Sequence, residues 1–149
     1  MPGTCFEGMA ISCIDAATLK AYRETEYGVE DDTPFFLTIG RFSEPLARLH
    51  ARHGVDCSAY LTACNPFGRL VDAQLNARRQ QQLAGDLRDM NRLFLCGAGR
   101  HPAGTWPPES SFLVLGLTRD EARVLGNKYE QNAVVCCGPR AVPRLVLLR

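Results

Sequence analysis

The sequence predicts an α+β domain in which helices pack on a mixed β-sheet with a ferredoxin-like βαββαβ core. Two observations lead to this prediction. Short apolar runs of strand length alternate with segments that have helical spacing and recognisable caps. Between Ser58 and Cys137 the predicted order is strand, helix, strand, strand, helix, strand, which is the order of a split βαβ unit. A three-layer α/β arrangement is the alternative, because three principal helices suit it as well.

The first half of the chain is predicted to contain two helices. Asp15 caps a short helix that runs to about Glu26 and ends near Gly28. Ser43, followed by Glu and Pro, begins the second helix, and Gly54 ends it. The predicted strands of this half span residues 35–39 and 55–63.

The second half begins with the longest predicted helix, from about Asp72 to Met90. The run Ser111–Gly116 is almost continuously apolar, so we expect this strand inside the sheet. Thr118 begins a helix with a capping box, and the helix ends near Gln131. Further strands are predicted at residues 92–96, 133–137 and 145–148, and residues 97–108 are predicted to form a loop.

Length and composition indicate one globular domain. The chain has 149 residues, of which 46% are apolar and 22% charged, and it is long enough to bury a sizeable core unaided. Residues 1–19 lack sustained periodicity, so we expect a loose arm or a lid there. The net charge of +1 provides no general attraction to nucleic acid or membranes. Since neither a secretory signal nor a run of ~20 apolar residues is visible, we expect a cytoplasmic protein without a membrane span.

Seven cysteines are present, and none forms a Cys-x-x-Cys pair. We therefore predict reduced, mostly buried cysteines and no zinc site. The three histidines lack a nearby acid or cysteine at ligand spacing, so no metal site is predicted. The Gly-x-Gly at residues 97–99 lacks the third glycine of a dinucleotide fingerprint, and no cofactor is predicted.

A turn rich in hydrogen-bonding side chains follows the strand that ends at Ala63. Thr62 and Asn65 flank the strand end, where sheets of this type commonly bind ligands. Because Pro66 restricts the backbone of Asn65, the amide side chain is expected to point in a fixed direction. The alternative is that Asn65 closes an Asx-type turn and that Thr62 is an ordinary strand residue.

The helix after this turn carries a second group of polar residues. Asp72, Asn76 and Arg79 are spaced to share one helix face, which would suit an anion. The alternative is that the pair Arg78 and Arg79 is simply solvated, because it lies about two turns into the helix.

Glu109 precedes the most apolar strand and is the best single candidate for acid or base chemistry, because apolar surroundings raise the pKa of a carboxyl group. A salt bridge to an arginine is the alternative. Trp106, the only tryptophan, would either stack on a base or cover the core. Cys64 has no neighbour that would activate it as a nucleophile.

Several short motifs occur together in this chain. They are Thr25-Glu26-Tyr27, Thr62-Ala63-Cys64-Asn65-Pro66, Asn76, Trp106 with Glu109-Ser110, and Gln131-Asn132-Ala133. With this set, residues 22–137 resemble a bacterial family known as domain of unknown function 3293. This copy has one more proline between Trp106 and Glu109 than the family pattern. The resemblance implies no activity.

The leading hypothesis is a pocket for a small polar molecule, anionic or nucleotide-like, with Glu109 available for catalysis. The predicted binding residues are Thr62, Asn65, Asn76, Arg79, Trp106, Ser110 and Gln131. The alternative is a non-catalytic interaction module, in which loop 97–108 and exposed arginines dock a protein or a nucleic acid.

Overall fold

In the computed structural model, which describes residues 13–104 and 106–149, seven strands form one sheet. The strand order is β2-β1-β4-β5-β3-β6-β7, and every neighbouring pair is antiparallel. The strands are β1 (Glu26–Val29), β2 (Phe35–Leu37), β3 (Ser58–Leu61), β4 (Phe94–Arg100), β5 (Glu109–Leu115), β6 (Ala133–Cys137) and β7 (Pro143–Leu147).

The α+β class is confirmed, whereas the prediction of a mixed sheet is wrong, because all neighbouring strands are antiparallel. The predicted βαββαβ segment supplies four adjacent strands in the order β4-β5-β3-β6, and β1, β2 and β7 extend the sheet beyond them. Because the sheet has seven strands rather than four, the ferredoxin-like core stays a prediction. β5 lies inside the sheet, as the sequence predicts, and β7 lies at its edge.

Four α-helices occur in the described part of the chain, and three of them begin at a capping residue that the sequence identifies, whereas the cap of the longest helix, Asp72, was predicted only to lie on a polar helix face. Asp15, Ser43 and Asp72 each accept a hydrogen bond from a backbone N–H three residues later, and Thr118 forms the predicted capping box with Glu121. None of these helices is long and apolar enough to cross a membrane. They are α1 (Ala16–Glu24), α2 (Glu44–His53), α3 (Ala73–Asp89) and α4 (Arg119–Lys128).

Two apolar cores lie on opposite faces of the sheet, because successive strand residues point to opposite sides. Val114 of β5 joins the core that contains Leu83 and Leu87 of the longest helix, α3. Leu113 joins the other core together with Leu46 of α2. Helix α1 contributes no fully buried side chain, and its residues instead line a cavity beside the sheet.

Residues 97–100 continue strand β4 rather than opening the predicted loop. Gly99 and Arg100 pair with Tyr27 and Glu26 of β1, a strand that begins one residue after α1 ends and that the sequence does not predict. A Cβ atom at Gly97 would lie 1.8 Å from the carbonyl oxygen of Gly28. Only glycine therefore permits this close approach of the two strands.

The prediction that most cysteines are buried is wrong for the residues described. Cys64 and Cys137 are buried, but Cys13 and Cys96 are exposed. Cys96 borders an open groove beside α3, which explains its exposure within an apolar strand. Cys57, Cys64, Cys96, Cys136 and Cys137 are free, and no cluster of potential metal ligands occurs in the described part of the chain. Cys5 and most of the predicted arm or lid, residues 1–12, lie outside the described residues.

Candidate functional site

A cavity of about 470 Å³ lies where α1 passes the end of the sheet, a volume typical of small-molecule sites. Residues of α1, β1, β3, β5 and β6 contribute to its walls, together with the turn after β3. Its aromatic lining consists of Tyr22, Tyr27, Tyr60, Phe67 and Trp106.

Glu109, the first residue of β5, supplies a carboxylate to this cavity. The side-chain amide nitrogen of Asn65 donates to Glu109 Oε2 at 2.7 Å. Burial raises the pKa of the Glu109 carboxyl above its ordinary value, although hydrogen bonds from Asn65 and Trp106 act in the opposite direction. Within residues 13–104 and 106–149, Glu109 has no ion pair, so the expected alternative of a salt bridge to arginine is not observed.

Asn65 is fixed by Asn76 through two reciprocal hydrogen bonds. The backbone N–H of Asn65 donates to Asn76 Oδ1 at 2.8 Å, and Asn76 Nδ2 donates to Asn65 Oδ1 at 2.9 Å. The backbone N–H of Val71 donates to the same Asn65 oxygen at 3.2 Å. Since two donors face Oδ1, the NH₂ group of Asn65 must be the end that faces Glu109. The helix α3 thus sets the orientation of the Glu109 carboxylate through Asn65.

The backbone of Asn65 is strained. Its φ of 50° and ψ of 66° lie in the left-handed region, which costs a non-glycine residue about 1–2 kcal/mol. The following proline disfavours helical backbone angles further. Asn65 therefore does more than close its own turn, because its hydrogen bonds with Asn76 and Glu109 maintain an unfavourable conformation. Strain of this kind is concentrated at functional sites.

Arg79 does not line the cavity, and its guanidinium joins two other parts of the chain. Nε donates to the Ala63 carbonyl at 2.7 Å, and Nη2 donates to the Tyr129 carbonyl at 2.6 Å. Nη1 lies 3.5 Å from a carboxylate oxygen of Glu130. The helical spacing of Asn76 and Arg79 is as predicted, but backbone carbonyls occupy the donors that were expected to hold an anion. Asp72, the third member of that predicted face, caps α3.

Three more of the predicted binding residues hold the turn in place. Thr62 Oγ1 donates to the Ser110 carbonyl at 2.6 Å and accepts from the backbone N–H of Cys64 at 3.0 Å. Gln131 Nε2 donates to the carbonyls of Cys64 and Tyr129, both at 3.0 Å. Thr62 and Gln131 also line the cavity, whereas Ser110 does not. Trp106 lines the cavity and remains 41% exposed, so it lies at the rim rather than over the core.

Sequence reasoning missed Tyr22 and Asn132 as site residues. The Tyr22 hydroxyl accepts from Asn132 Nδ2 at 3.0 Å, and both residues line the cavity. Burial raises the pKa of the Tyr22 phenol, which keeps it protonated. The sequence pattern placed Tyr22 only within the first predicted helix. Asn132 could have been found, because it lies inside the Gln131-Asn132-Ala133 motif.

Asn65 and Glu109 form a wall between this cavity and an open groove along α3. Asn76 and Gln80 border the groove but not the cavity. The predicted residues therefore fall into two groups: Asn65, Glu109, Thr62, Gln131 and Trp106 line the cavity, whereas Asn76, Arg79 and Ser110 do not.

Residues 61–134 match a sequence family described as "Protein of unknown function (DUF3293)". This match confirms the predicted family over residues 61–134 of the 22–137 in which the resemblance was seen, and the matched range contains every predicted site residue from Thr62 to Gln131. No curated protein and no solved structure matches the chain.

Proposed function

We propose that this chain, which belongs to the DUF3293 family of proteins of unknown function, binds a small nucleotide-like molecule in the cavity beside α1. In this proposal a flat nitrogen heterocycle enters the aromatic part of the cavity and donates its N–H groups to Glu109. The observation that carries the proposal is the Glu109 carboxylate, which lines the cavity, is oriented by Asn65, and has no ion-pair partner among the described residues.

The chemistry of the walls supports a heterocycle that donates hydrogen bonds. An ionised carboxylate is only an acceptor, so Glu109 complements N–H groups and repels an anion. Among residues 13–104 and 106–149, no lysine or arginine lines the cavity. Tyr27 and Tyr60 have their hydroxyls bound to backbone carbonyls and therefore present mainly ring surface. Trp106 at the rim offers a face on which a base would stack.

The same carboxylate is the proposed acid or base for any reaction of the bound molecule. A raised pKa brings Glu109 closer to the range in which a carboxyl exchanges protons at neutral pH. Binding in our proposal does not depend on such a reaction. A concave cavity favours a small ligand over the interaction module, whose predicted loop is partly strand β4.

The proposal places the site on a ferredoxin-like core in a cytoplasmic protein. The antiparallel order β4-β5-β3-β6 supports the first part, because it is the order in which a βαββαβ unit forms a sheet. The free thiols of Cys57, Cys64, Cys96, Cys136 and Cys137 support the second part, since reducing compartments preserve free thiols.

The test is isothermal titration calorimetry of the full chain with guanosine, adenosine and cytidine, alongside choline as an ammonium probe. At least one nucleoside is expected to bind the wild type. Glu109→Gln is expected to weaken that binding by about 10- to 150-fold, the range for a hydrogen bond to a charged group. Glu44→Gln, which removes an exposed carboxylate from α2, is the matched control and should bind like the wild type.

Three results would overturn the proposal: no nucleoside binds at millimolar concentration, Glu109→Gln binds as tightly as the wild type, or choline alone binds. The last result would assign the cavity to organic cations, which aromatic residues and a carboxylate also recognise.

A further inference from the structure

We infer that Arg149, at the edge of this cavity, binds an anionic group of the bound ligand, so that the ligand class is a nucleoside phosphate. This inference rests on the proposed function and adds the second recognition element. It also replaces the anion site predicted at Arg79, whose donors are bound to Ala63, Tyr129 and Glu130.

Arg149 contacts two residues of the cavity wall. Its Nη1 donates to Asn132 Oδ1 at 3.0 Å, and its guanidinium carbon lies 4.3 Å from the centroid of the Phe67 ring. Asn132 and Phe67 both line the cavity. Stacking on one residue and hydrogen bonding to another hold the guanidinium plane at the cavity edge.

A chain of hydrogen bonds leads from Arg149 into the cavity. Asn132 accepts from Arg149 and donates to the Tyr22 hydroxyl, each at 3.0 Å. The charges of Arg149 and Glu109 both act on the pKa of the Tyr22 phenol, in opposite directions. Tyr22 is therefore close to both charges. Its hydroxyl donates to no acceptor within residues 13–104 and 106–149, so the proton is available to a ligand.

Arg149 retains free donors for an anion. Its one hydrogen bond within the described part of the chain uses Nη1, and a guanidinium has five N–H groups in a planar fork that matches phosphate. No other arginine or lysine side chain of that part has a hydrogen bond, ion pair or ring contact with a cavity-lining residue. The position of Arg149 is thus distinctive among the basic residues.

Space beside this group is kept open by Gly68. A Cβ atom there would lie 3.0 Å from Asn132 Nδ2 and 4.0 Å from the Tyr22 hydroxyl. The φ of +73° also favours glycine at this position. A carboxylate acceptor at Glu109 and a cation at Arg149 together complement a molecule that has N–H donors and an anionic group.

The experiment compares guanosine with guanosine 5′-monophosphate, and adenosine with its monophosphate, by calorimetry on the full chain. The wild type is expected to bind the monophosphate about 10- to 150-fold tighter than the nucleoside. Arg149→Gln should abolish this difference without changing the affinity for the nucleoside, which reports that the cavity is intact. Arg149→Lys should retain part of it, since lysine keeps the charge but not the planar fork. Arg144→Gln, which removes an exposed arginine of β7, is the matched control and should behave like the wild type.

Equal affinity of the wild type for nucleoside and monophosphate would overturn the inference and leave the role of Glu109 standing. The inference would also be overturned if Arg149→Gln kept the preference for the monophosphate over the nucleoside. It would likewise be overturned if Arg144→Gln lost this preference to the same extent as Arg149→Gln, which would indicate non-specific attraction. Absence of binding by nucleosides and monophosphates alike would overturn the proposed function as well.

Discussion

The side-chain amide of Asn65 donates a hydrogen bond of 2.7 Å to the carboxylate of Glu109, although 44 positions separate the two residues in sequence. The short distance is typical of a bond to a charged acceptor. Because Asn76 and Val71 hold the other end of the Asn65 amide, the carboxylate is oriented by the chain before any ligand binds.

The variant Asn65→Asp tests this relationship. It replaces the donor with a second carboxylate beside Glu109, and two carboxylates at this distance cannot both be ionised at low cost. We expect a further rise of the Glu109 pKa and a loss of stability that grows as pH rises toward neutrality. Loss of the bond to a charged group contributes about 1.5–3 kcal/mol.

Thermal unfolding between pH 4 and 8 measures this change. Asn65→Gly is the control, because glycine accepts the left-handed backbone and introduces no charge. An Asp variant with the same pH dependence as the Gly variant would contradict the proposed contact between residues 65 and 109.

A second prediction concerns the cost of an ionised Glu109. The pKa of this carboxyl in the folded protein lies above its ordinary value of 4.5. Its contribution to stability is therefore fully present below pH 4.5 and is lost as pH rises through the folded pKa. Glu109→Gln keeps an oxygen acceptor for Asn65 and is never charged, so it should be more stable than the wild type at pH 7 but not at pH 4.

Denaturant unfolding at pH 4 and pH 7 checks this expectation. Glu44→Gln is the control of opposite sign, since the exposed Glu44 interacts favourably with the beginning of α2 and its loss should slightly destabilise the protein at pH 7. A Glu109→Gln variant that is less stable than the wild type at pH 7 would refute the predicted direction of the stability change. Greater stability together with lost binding would identify Glu109 as a residue retained for function at a cost in stability.

For Arg79, the structure predicts a loss of stability rather than of ligand affinity. Arg79→Ala leaves the carbonyls of Ala63 and Tyr129 without their charged donor, which costs about 1.5–3 kcal/mol. In a domain of this size the melting temperature should fall by about 3–12 °C. Arg79→Lys keeps the charge but cannot reach both carbonyls with a planar fork, so an intermediate value is expected.

Differential scanning calorimetry measures the melting temperatures, and guanosine 5′-monophosphate binding is measured well below them. An Arg79→Ala variant that is as stable as the wild type but no longer binds the monophosphate would instead support the anion site that the sequence pattern suggested at Arg79.

Elements with local signals were predictable from the sequence. The cap at Asp15, the capping box at Thr118 and the apolar run of β5 each depend on residues within a few positions of one another, and all three are confirmed. β1 was missed because it depends on a distant contact, the approach of Gly28 to Gly97. No short-range pattern reveals that two glycines face each other across a sheet.

In the candidate site too, local sequence patterns predicted some features, whereas others depend on contacts between distant segments. The sequence predicted one pocket that contains Asn65, Asn76, Arg79 and Glu109. Hydrogen bonds join Asn65 to Asn76 and Glu109, but Asn76 and Arg79 do not line the cavity, and a role of these residues in binding stays a prediction. The residue spacing on α3 predicted the helix face that carries Arg79. It did not predict the hydrogen bonds that Arg79 donates to the carbonyls of Ala63 and Tyr129. Arg149 was missed because its contacts with Asn132 and Phe67 depend on how distant segments meet at the cavity edge.

A final prediction concerns the glycine contact that places β1 beside the cavity. In Gly97→Ala the new Cβ would lie 1.8 Å from the backbone oxygen of Gly28, and no rotation of a side chain relieves a clash with backbone. The strands must separate, which should cost the upper part of the ~1–3 kcal/mol typical of overpacking, or more. Tyr60 should also lose its hydrogen bond to Gly28, so nucleoside binding should weaken too.

Gly85→Ala is the matched control, because position 85 lies inside α3 and an added Cβ meets nothing within 4 Å. Alanine is favoured over glycine in a helix by about 0.5–1 kcal/mol, so this variant should melt at a higher temperature than the wild type. The two substitutions add the same atom and should shift the melting temperature in opposite directions. A Gly97→Ala variant that melts with the wild type would show that β1 does not pack against β4 at this position, and the wall of the cavity formed by Tyr27 would have to be placed elsewhere.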